Sequence, residues 1–212
     1  MNELIACRLM NVLGIGHLQY KLIRSLVSIR GKEYDTWMCR SENYRASDEK
    51  KIALDNFCEV NQEEGETPLD LCRRCGWEKD VDRIMLVDYL IVNRDRHGAN
   101  IEVLRDGQGN MKLAPLFDNG LSFLAPLAGR GDRIRNFDPM DDVPANNFLG
   151  TRSLEENLNL MSGFPDVDPI TIDSRQLLFE GLDGVLPDYH LEKIWEIIWS
   201  RWKHYENIRD KK

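Results

Sequence analysis

Asp95, His97 and Asn100 fall within one short stretch of this chain, and Asp118 follows it at a distance that a small hairpin would span. The intervening residues Ile101 to Leu104 and Met111 to Ala114 read as two short strands, joined by the glycine-containing run Arg105 to Asn110. An antiparallel hairpin returns to where it began, so Asn100 and Asp118 should emerge at the same end. Their side-chain oxygens could then share one hard cation, with Asp95 free to approach the same point. Two carboxylates and an amide carbonyl suit Mg²⁺ on a nucleotide's phosphates better than zinc or copper. Phosphoryl transfer needs that set: metal ligands to neutralise the phosphates, here Asn100 and Asp118, and a carboxylate to orient the attacking hydroxyl, here Asp95. A metal-dependent phosphoesterase using Asp95, His97, Asp118 and an activated water is an alternative. Either aspartate alone would read as an ordinary turn residue; their occurrence with Asn100 and His97 across one hairpin favours a site.

The elements that must position these residues are legible in outline. Val81 to Val92 is the most apolar helical stretch, with Ile84, Met85, Val87, Leu90 and Ile91 wrapping more than one face, so it should be buried and should deliver the chain to Asn93–Asn100. At the N-terminus Ile5, Leu9, Val12 and Leu13 form a helical stripe with Gly14 as its stop. Leu18 to Val27 and Tyr34 to Arg40 read as strands around an Arg30-Gly31-Lys32 turn. From Ser47 to Glu66 the sequence is polar and acidic, and Glu63-Glu64-Gly65-Glu66 marks a boundary or exposed loop. Residues 125–147 read as loop, with basic Arg130, Arg133 and Arg135 followed by acidic Asp138, Asp141 and Asp142. Ser174 to Phe179 and Leu191 to Tyr205 read as helices; in the second, Trp195, Trp199 and Trp202 lie on helical spacing and are read as core anchors.

Other motifs carry less. Cys72-Arg-Arg-Cys75 has ligand spacing, but no second Cys or His pair completes a zinc site. Gly14-Ile-Gly16 follows a helix rather than a strand and reads as a cap and turn, not a phosphate loop. Arg94 and Arg96 could contact phosphates, though a structural ion pair beside Asp95 is the favoured reading. The run Arg130 to Arg135 could bind a phosphate, and a solvated loop is favoured.

Composition bounds the classes. A chain of 212 residues with 42% hydrophobic and 30% charged residues is long enough for a folded domain or two small lobes. Its net charge of −8 repels a nucleic-acid backbone or an anionic membrane, so no direct nucleic-acid or membrane partner is expected. No stretch approaches the ~18 apolar residues of a membrane span, and the N-terminus lacks a signal-peptide pattern. Five cysteines without framework spacing fit reduced thiols, and the expected location is the cytoplasm.

The Asp-x-His-x-x-Asn loop, the hairpin and then Phe117-Asp118-Asn119-Gly120 resemble the catalytic core of the HipA-like kinases and, more distantly, of the phosphoinositide lipid kinases. Ordinary protein kinases carry a His-Arg-Asp loop and Asp-Phe-Gly at the corresponding places. The resemblance runs from Asn2 to about Phe123 in element order, and its specific parts are Asn93–Asn100 and Pro115–Gly120. It implies an α+β, protein-kinase-like fold: a truncated N-terminal lobe over residues 1–46, made of a helix and a hairpin, and a mostly helical catalytic lobe over 47–212 carrying the catalytic hairpin. It implies Asp95 and His97 as catalytic residues, Asn100 and Asp118 as metal ligands, and ATP with Mg²⁺ as cofactors. Glu3 falls where such kinases carry the glutamate that pairs with a lysine, and Cys39, Arg40, Ser41 and Glu42 fall at the adenine-binding hinge. The implied reaction is phosphorylation of a protein Ser/Thr hydroxyl, with an antitoxin, or a chain supplying N-lobe strands, as further partner. The sequence begins two residues before Glu3 and holds neither a glycine-rich phosphate loop nor a phosphate-binding lysine strand. The expectation is therefore a piece of a longer kinase, a chain completed by a partner, or a non-catalytic kinase-like binding protein.

Overall fold

A computed structural model describes residues 1–211. Helix α1 (Asn2–Val12) buries Leu4, Ile5, Ala6, Cys7, Leu9 and Met10, a wider face than the expected stripe, because it is covered from more than one side, by β1 and by α7. Gly14 follows at φ +67°, the left-handed stop anticipated for it. Strands β1 (Tyr20–Ile29) and β2 (Lys32–Ser41) form a two-stranded antiparallel sheet closed by Arg30 and Gly31, both at positive φ, as a tight hairpin turn requires.

The polar stretch after residue 47 is more ordered than its composition suggests. It contains β3 (Lys50–Ala53) and helix α2 (Leu54–Asn61), whose Leu54, Phe57 and Cys58 are buried. Three apolar residues on one helical face are enough to seat it, and the surrounding charges occupy its solvent side. The Glu63–Glu66 run is the exposed turn that follows. Helix α3 (Pro68–Arg74) opens with a capping box between Thr67 and Asp70. Helix α4 (Glu78–Ile91) is buried from Val81 onward except at Arg83, and packs against the helices named below.

Strand β4 (Asp95–Arg96) and a 3-10 turn (Gly98–Asn100) lead into β5 (Glu102–Arg105) and β6 (Met111–Leu113). The sheet order is β3-β5-β6, all antiparallel, so the expected hairpin is there and β3 is an added outer strand. Residues 125–147 are less irregular than expected, with a 3-10 turn (Ala125–Leu127), helix α5 (Gly131–Arg135) and strand β7 (Asn146–Asn147), which pairs in parallel with β4. Helices α6 (Leu154–Leu160), α7 (Ser174–Phe179) and α8 (Asp188–Arg209) complete the chain; α4 packs against α6 and α8. In α8, Trp202 is fully buried and Trp195 stacks on Trp199 at the margin of the core, in line with an anchoring role.

The architecture is thus α+β, with the two longest strands, β1 and β2, near the N-terminus and a helix-rich C-terminal region.

Candidate functional site

The site begins at the end of α4. Val92 caps that helix in the left-handed conformation (φ 51°, ψ 49°), turning the chain sharply into Asn93–Asn100. A β-branched residue is poorly suited to that conformation, so packing must hold it there. Val92 is fully buried, and the Asn93 N–H donates to the Asp88 carbonyl at 2.9 Å while its Nδ2 donates to the Asp88 carboxylate at 2.9 Å.

Arg96 is the organiser. Its side chain is 1% exposed and its guanidinium faces three segments. Nε and Nη2 donate to the Asp88 carboxylate of α4 at 3.1 and 2.9 Å. Nη1 donates to the carbonyls of Asn100 at 3.3 Å and Phe117 at 2.8 Å, and Nη2 donates to Asn119 Oδ1 at 2.7 Å. One buried cation therefore ties the helix, the loop before the hairpin and the loop after it. The ion pair forms as anticipated in kind, but with Asp88 rather than Asp95. A carboxylate inside the most apolar helix needs a buried donor, and that need was the sequence signal for Asp88.

This clamp ties together the two segments that carry the hairpin-flanking residues. Asn100 is nearly buried; its Nδ2 donates to the Asp95 carbonyl at 3.0 Å, which leaves Oδ1 as the free acceptor. Asp118 is exposed, at φ 54°, and its N–H donates to the hydroxyl of Tyr20 on β1 at 3.3 Å. Burial and the nearby Glu3 charge push the Tyr20 phenol up to about 12, so it stays protonated. Glu3 arrives from α1: a point beside Gly120, where a Cβ would stand, lies 3.5 Å from Glu3 Oε1 and 3.9 Å from Asp118 Oδ1. Burial, and to a lesser degree the Asp118 charge, raises the Glu3 carboxyl above its usual range. Its Oε2 is buried without a hydrogen-bond partner.

Asp95 projects from β4 with its oxygens divided between two neighbours. Asn146 Nδ2 of β7 donates to Oδ1 at 3.2 Å, and His97 Nε2 lies 3.8 Å from Oδ2. Cys39, Arg40, Ser41 and Glu42 lie at the exposed end of β2 and just beyond it. Ser41 pairs across the hairpin with Tyr20, whose hydroxyl holds Asp118, so this strand end borders the same region. Asn119 lies inside the motif that carries the resemblance, but its bond to Arg96 was not foreseen, and Tyr20 and Asn146 were not legible as site residues, since nothing in their own neighbourhoods marks them.

Among the described residues, no three His, Cys, Asp or Glu side chains converge as a metal site. A protein cage for zinc is therefore not built here. Mg²⁺ carried on phosphates requires only one or two protein oxygens, and an exposed carboxylate with a free amide oxygen is a donor set of that kind.

No family model matches the chain, and no curated protein matches it. Solved structures do. The chain is similar to the Helicobacter pylori proinflammatory kinase CtkA, with a TM-score of 0.56 and 13% identity over 94% of this chain and 78% of that one. It is also similar to a chain in the Shewanella oneidensis MR-1 complex of HipA, HipB and operator DNA, with a TM-score of 0.50 and 17% identity, covering 99% of this chain but 56% of that one. At the level of fold the chain resembles the HipA-like kinases, and it spans little more than half of the Shewanella chain it matches.

Proposed function

We propose that this chain is a HipA-like kinase domain that transfers phosphate from ATP to a serine or threonine hydroxyl of a protein. Residues 1–46 are its N-terminal lobe and 47–212 its catalytic lobe. The observation that carries the reading is the Arg96 clamp, which fastens the segment of Asp95 and Asn100 to the segment of Asp118 through one guanidinium. Asn100 Oδ1 and the Asp118 carboxylate would hold Mg²⁺, which when bound neutralises phosphate charge. Asp95, steadied by Asn146, accepts a hydrogen bond from the attacking hydroxyl and aligns it, with His97 beside it. Cys39 to Glu42 line the adenine side, and Glu3 stands where such a kinase carries the glutamate that pairs with a phosphate-binding lysine. The Shewanella structure is a complex of HipA with HipB and operator DNA, and a protein partner of that kind is part of the proposal.

A second reading, nucleotide or partner binding without turnover, is favoured by one observation: Glu3 Oε2 is buried without a hydrogen-bond partner. Titration with Mg-ATP and a labelled-phosphate assay separate the two. Under the kinase reading Asp118→Asn weakens nucleotide binding, whereas Asp95→Asn leaves binding nearly intact and abolishes transfer. Equal losses of affinity in both variants would refute these roles. Binding by the parent chain without transfer to any protein acceptor would favour the second reading.

A further inference from the structure

The turn that ends α1 also assembles a cluster of donors outside the site described above. Gly14, at φ +67°, folds the chain back, and Ile15 is held by its burial and by its N–H donating to the Met10 carbonyl at 2.9 Å. His17 thereby returns over Cys7 of α1, with Nε2 3.3 Å from Cys7 Sγ. Gln19 follows with an amide: its Oε1 lies 3.6 Å from the same sulfur and its Nε2 3.1 Å from His17 Nε2. A thiol has one hydrogen, and here both an imidazole nitrogen and an amide oxygen face it.

Each donor is oriented by a further contact. His17 Nδ1 lies 2.7 Å from the Ile15 carbonyl, which can only accept, so the ring proton sits on Nδ1 and Nε2 turns its lone pair to the sulfur. A histidine fixed in this way through its other nitrogen is typical of a metal ligand. Asn11 Oδ1 accepts from Gln19 Nε2 at 3.2 Å, which directs Oε1 toward the sulfur. Burial raises the Cys7 thiol, while the Tyr20 backbone N–H and the Arg8 charge act the other way, in favour of the thiolate. The backbone of His17 is bridged to Leu116, so the loop is anchored before any ligand arrives.

The spacing matches one ion. Bonds of ~2.3 Å from Zn²⁺ to sulfur, ~2.05 Å to nitrogen and ~2.1 Å to oxygen, at tetrahedral angles, separate the sulfur from either partner by about 3.6 Å. The observed 3.3 and 3.6 Å require shifts of only a few tenths of an ångström. Thiolate and imidazole suit zinc and disfavour Mg²⁺ or Ca²⁺. We infer that Cys7, His17 and Gln19 bind Zn²⁺ through three protein donors and leave its fourth position to solvent. Only two of the three donors are Cys or His, and Asn11 and Gln19 are exposed, so the site is open and not a closed cage. Cys7, Asn11 and Gln19 also line a cavity of about 450 Å³, which gives the ion a way in. On binding, the thiol proton leaves to solvent and a sulfur–zinc bond takes its place, with no change of oxidation state. The ion would fasten α1 to the start of β1: Cys7 stands one helical turn after Glu3, and Gln19 precedes Tyr20. The inference stands whether or not the chain transfers phosphate.

The test uses the full chain, reduced, stripped with a chelator and titrated with Zn²⁺ in excess Mg²⁺. One Zn²⁺ should bind saturably and raise the melting temperature. Co²⁺ in its place should show a thiolate-to-cobalt charge-transfer band. Cys7→Ser and His17→Gln should each lower zinc affinity by at least about a hundredfold, beyond the ~10–100-fold that an outer-shell change costs, and Cys7→Ser should abolish the band. Gln19→Glu, at an exposed position that folding does not depend on, should raise affinity at least about tenfold by supplying a charged oxygen. Cys75→Ser, in the Cys-x-x-Cys pair, should bind zinc as the parent does. Absence of saturable zinc binding, parental affinity in Cys7→Ser or His17→Gln, no gain in Gln19→Glu, or loss of binding in Cys75→Ser would each overturn the inference.

Discussion

Replacing Arg96 by methionine tests whether the site is organised by a single buried cation. The guanidinium is almost wholly buried and makes its hydrogen bonds to the Asp88 carboxylate, the carbonyls of Asn100 and Phe117, and Asn119 Oδ1. Without it Asp88, fully buried, keeps a charge with no counterion, and breaking such a pair costs about 3–5 kcal/mol. That is a large part of the ~5–15 kcal/mol that holds a typical domain together, so Arg96→Met should lower the urea midpoint sharply or prevent folding. The informative variant is the double change Arg96→Met with Asp88→Leu. It removes both charges, and replacing a buried pair with apolar groups is close to neutral or stabilising. Stability should therefore return in part. The clamp does not return, because the carbonyls of Asn100 and Phe117 and the amide of Asn119 still lack their shared donor, and Asn93 Nδ2 loses its acceptor. The double variant should fold with a midpoint above that of Arg96→Met and below the parent's and, under the proposed function, bind Mg-ATP more weakly than the parent. Urea melts and calorimetry on both variants supply the readout. A cost below about 1 kcal/mol for Arg96→Met, typical of a surface pair, or parental Mg-ATP affinity in the double variant, would refute the reasoning.

Three further outcomes follow from the same geometry. In Gly98→Ala the new Cβ would lie 2.6 Å from Asp55 Cβ and 3.1 Å from the Asp55 backbone nitrogen, so the 3-10 turn must move off α2 and take Asn100 with it; thermal melts should show a loss of about 1–3 kcal/mol, together with weaker Mg-ATP binding. Burial raises the Glu3 carboxyl in the fold above its ordinary 4.5, so the native state holds the proton longer than the unfolded chain and stability falls as pH rises through that window; Glu3→Gln should remove the fall, raising the urea midpoint at neutral pH and matching the parent below pH 4.5. Asn146→Ala frees Asp95 Oδ1, and under the proposed function it should slow transfer by about tenfold with unchanged Mg-ATP affinity; an equal loss of affinity would make Asn146 a structural residue only.

What was legible in the sequence is what short-range geometry dictates. The pairing of β5 with β6, and hence the common origin of Asn100 and Asp118, follows from two β-rich runs with a glycine-containing link. The α1 helix, its Gly14 stop, the Arg30–Gly31 turn and the long C-terminal helix are likewise local, although α8 extends beyond the expected ends at both sides. The stretch holding β3 and α2 was obscured because its apolar residues are few and its charges many. β3 exists only because β5 pairs with it, far along the chain. The same limit applies to the site: Tyr20 meets Asp118, Asn146 meets Asp95, and Glu3 reaches Gly120 through tertiary packing that no spacing encodes.

The distribution of local cost over the fold bears on where function resides. Four non-glycine residues have positive φ, and only Arg30 belongs to an ordinary hairpin turn. The other three, Val92, Asp118 and Phe123, stand around the Arg96 clamp. Val92 and Phe123 are fully buried, and the Phe123 N–H donates to the carbonyl of Ile91, the residue before Val92 at the end of α4. At roughly 1–2 kcal/mol for each left-handed residue, the three together cost about 3–6 kcal/mol. Glu3 adds an unfavourably buried carboxylate a short distance away. Folding alone gives no reason to collect such costs at one place, since glycine at 118 or an apolar residue at 3 would relieve them. Strain that the surrounding structure sustains is characteristic of sites whose geometry serves binding or catalysis. The Asp88–Arg96 pair offsets it by fixing α4 and both hairpin-flanking loops in one arrangement. The same pair therefore serves stability and site geometry, and the double substitution of Asp88 and Arg96 separates the two.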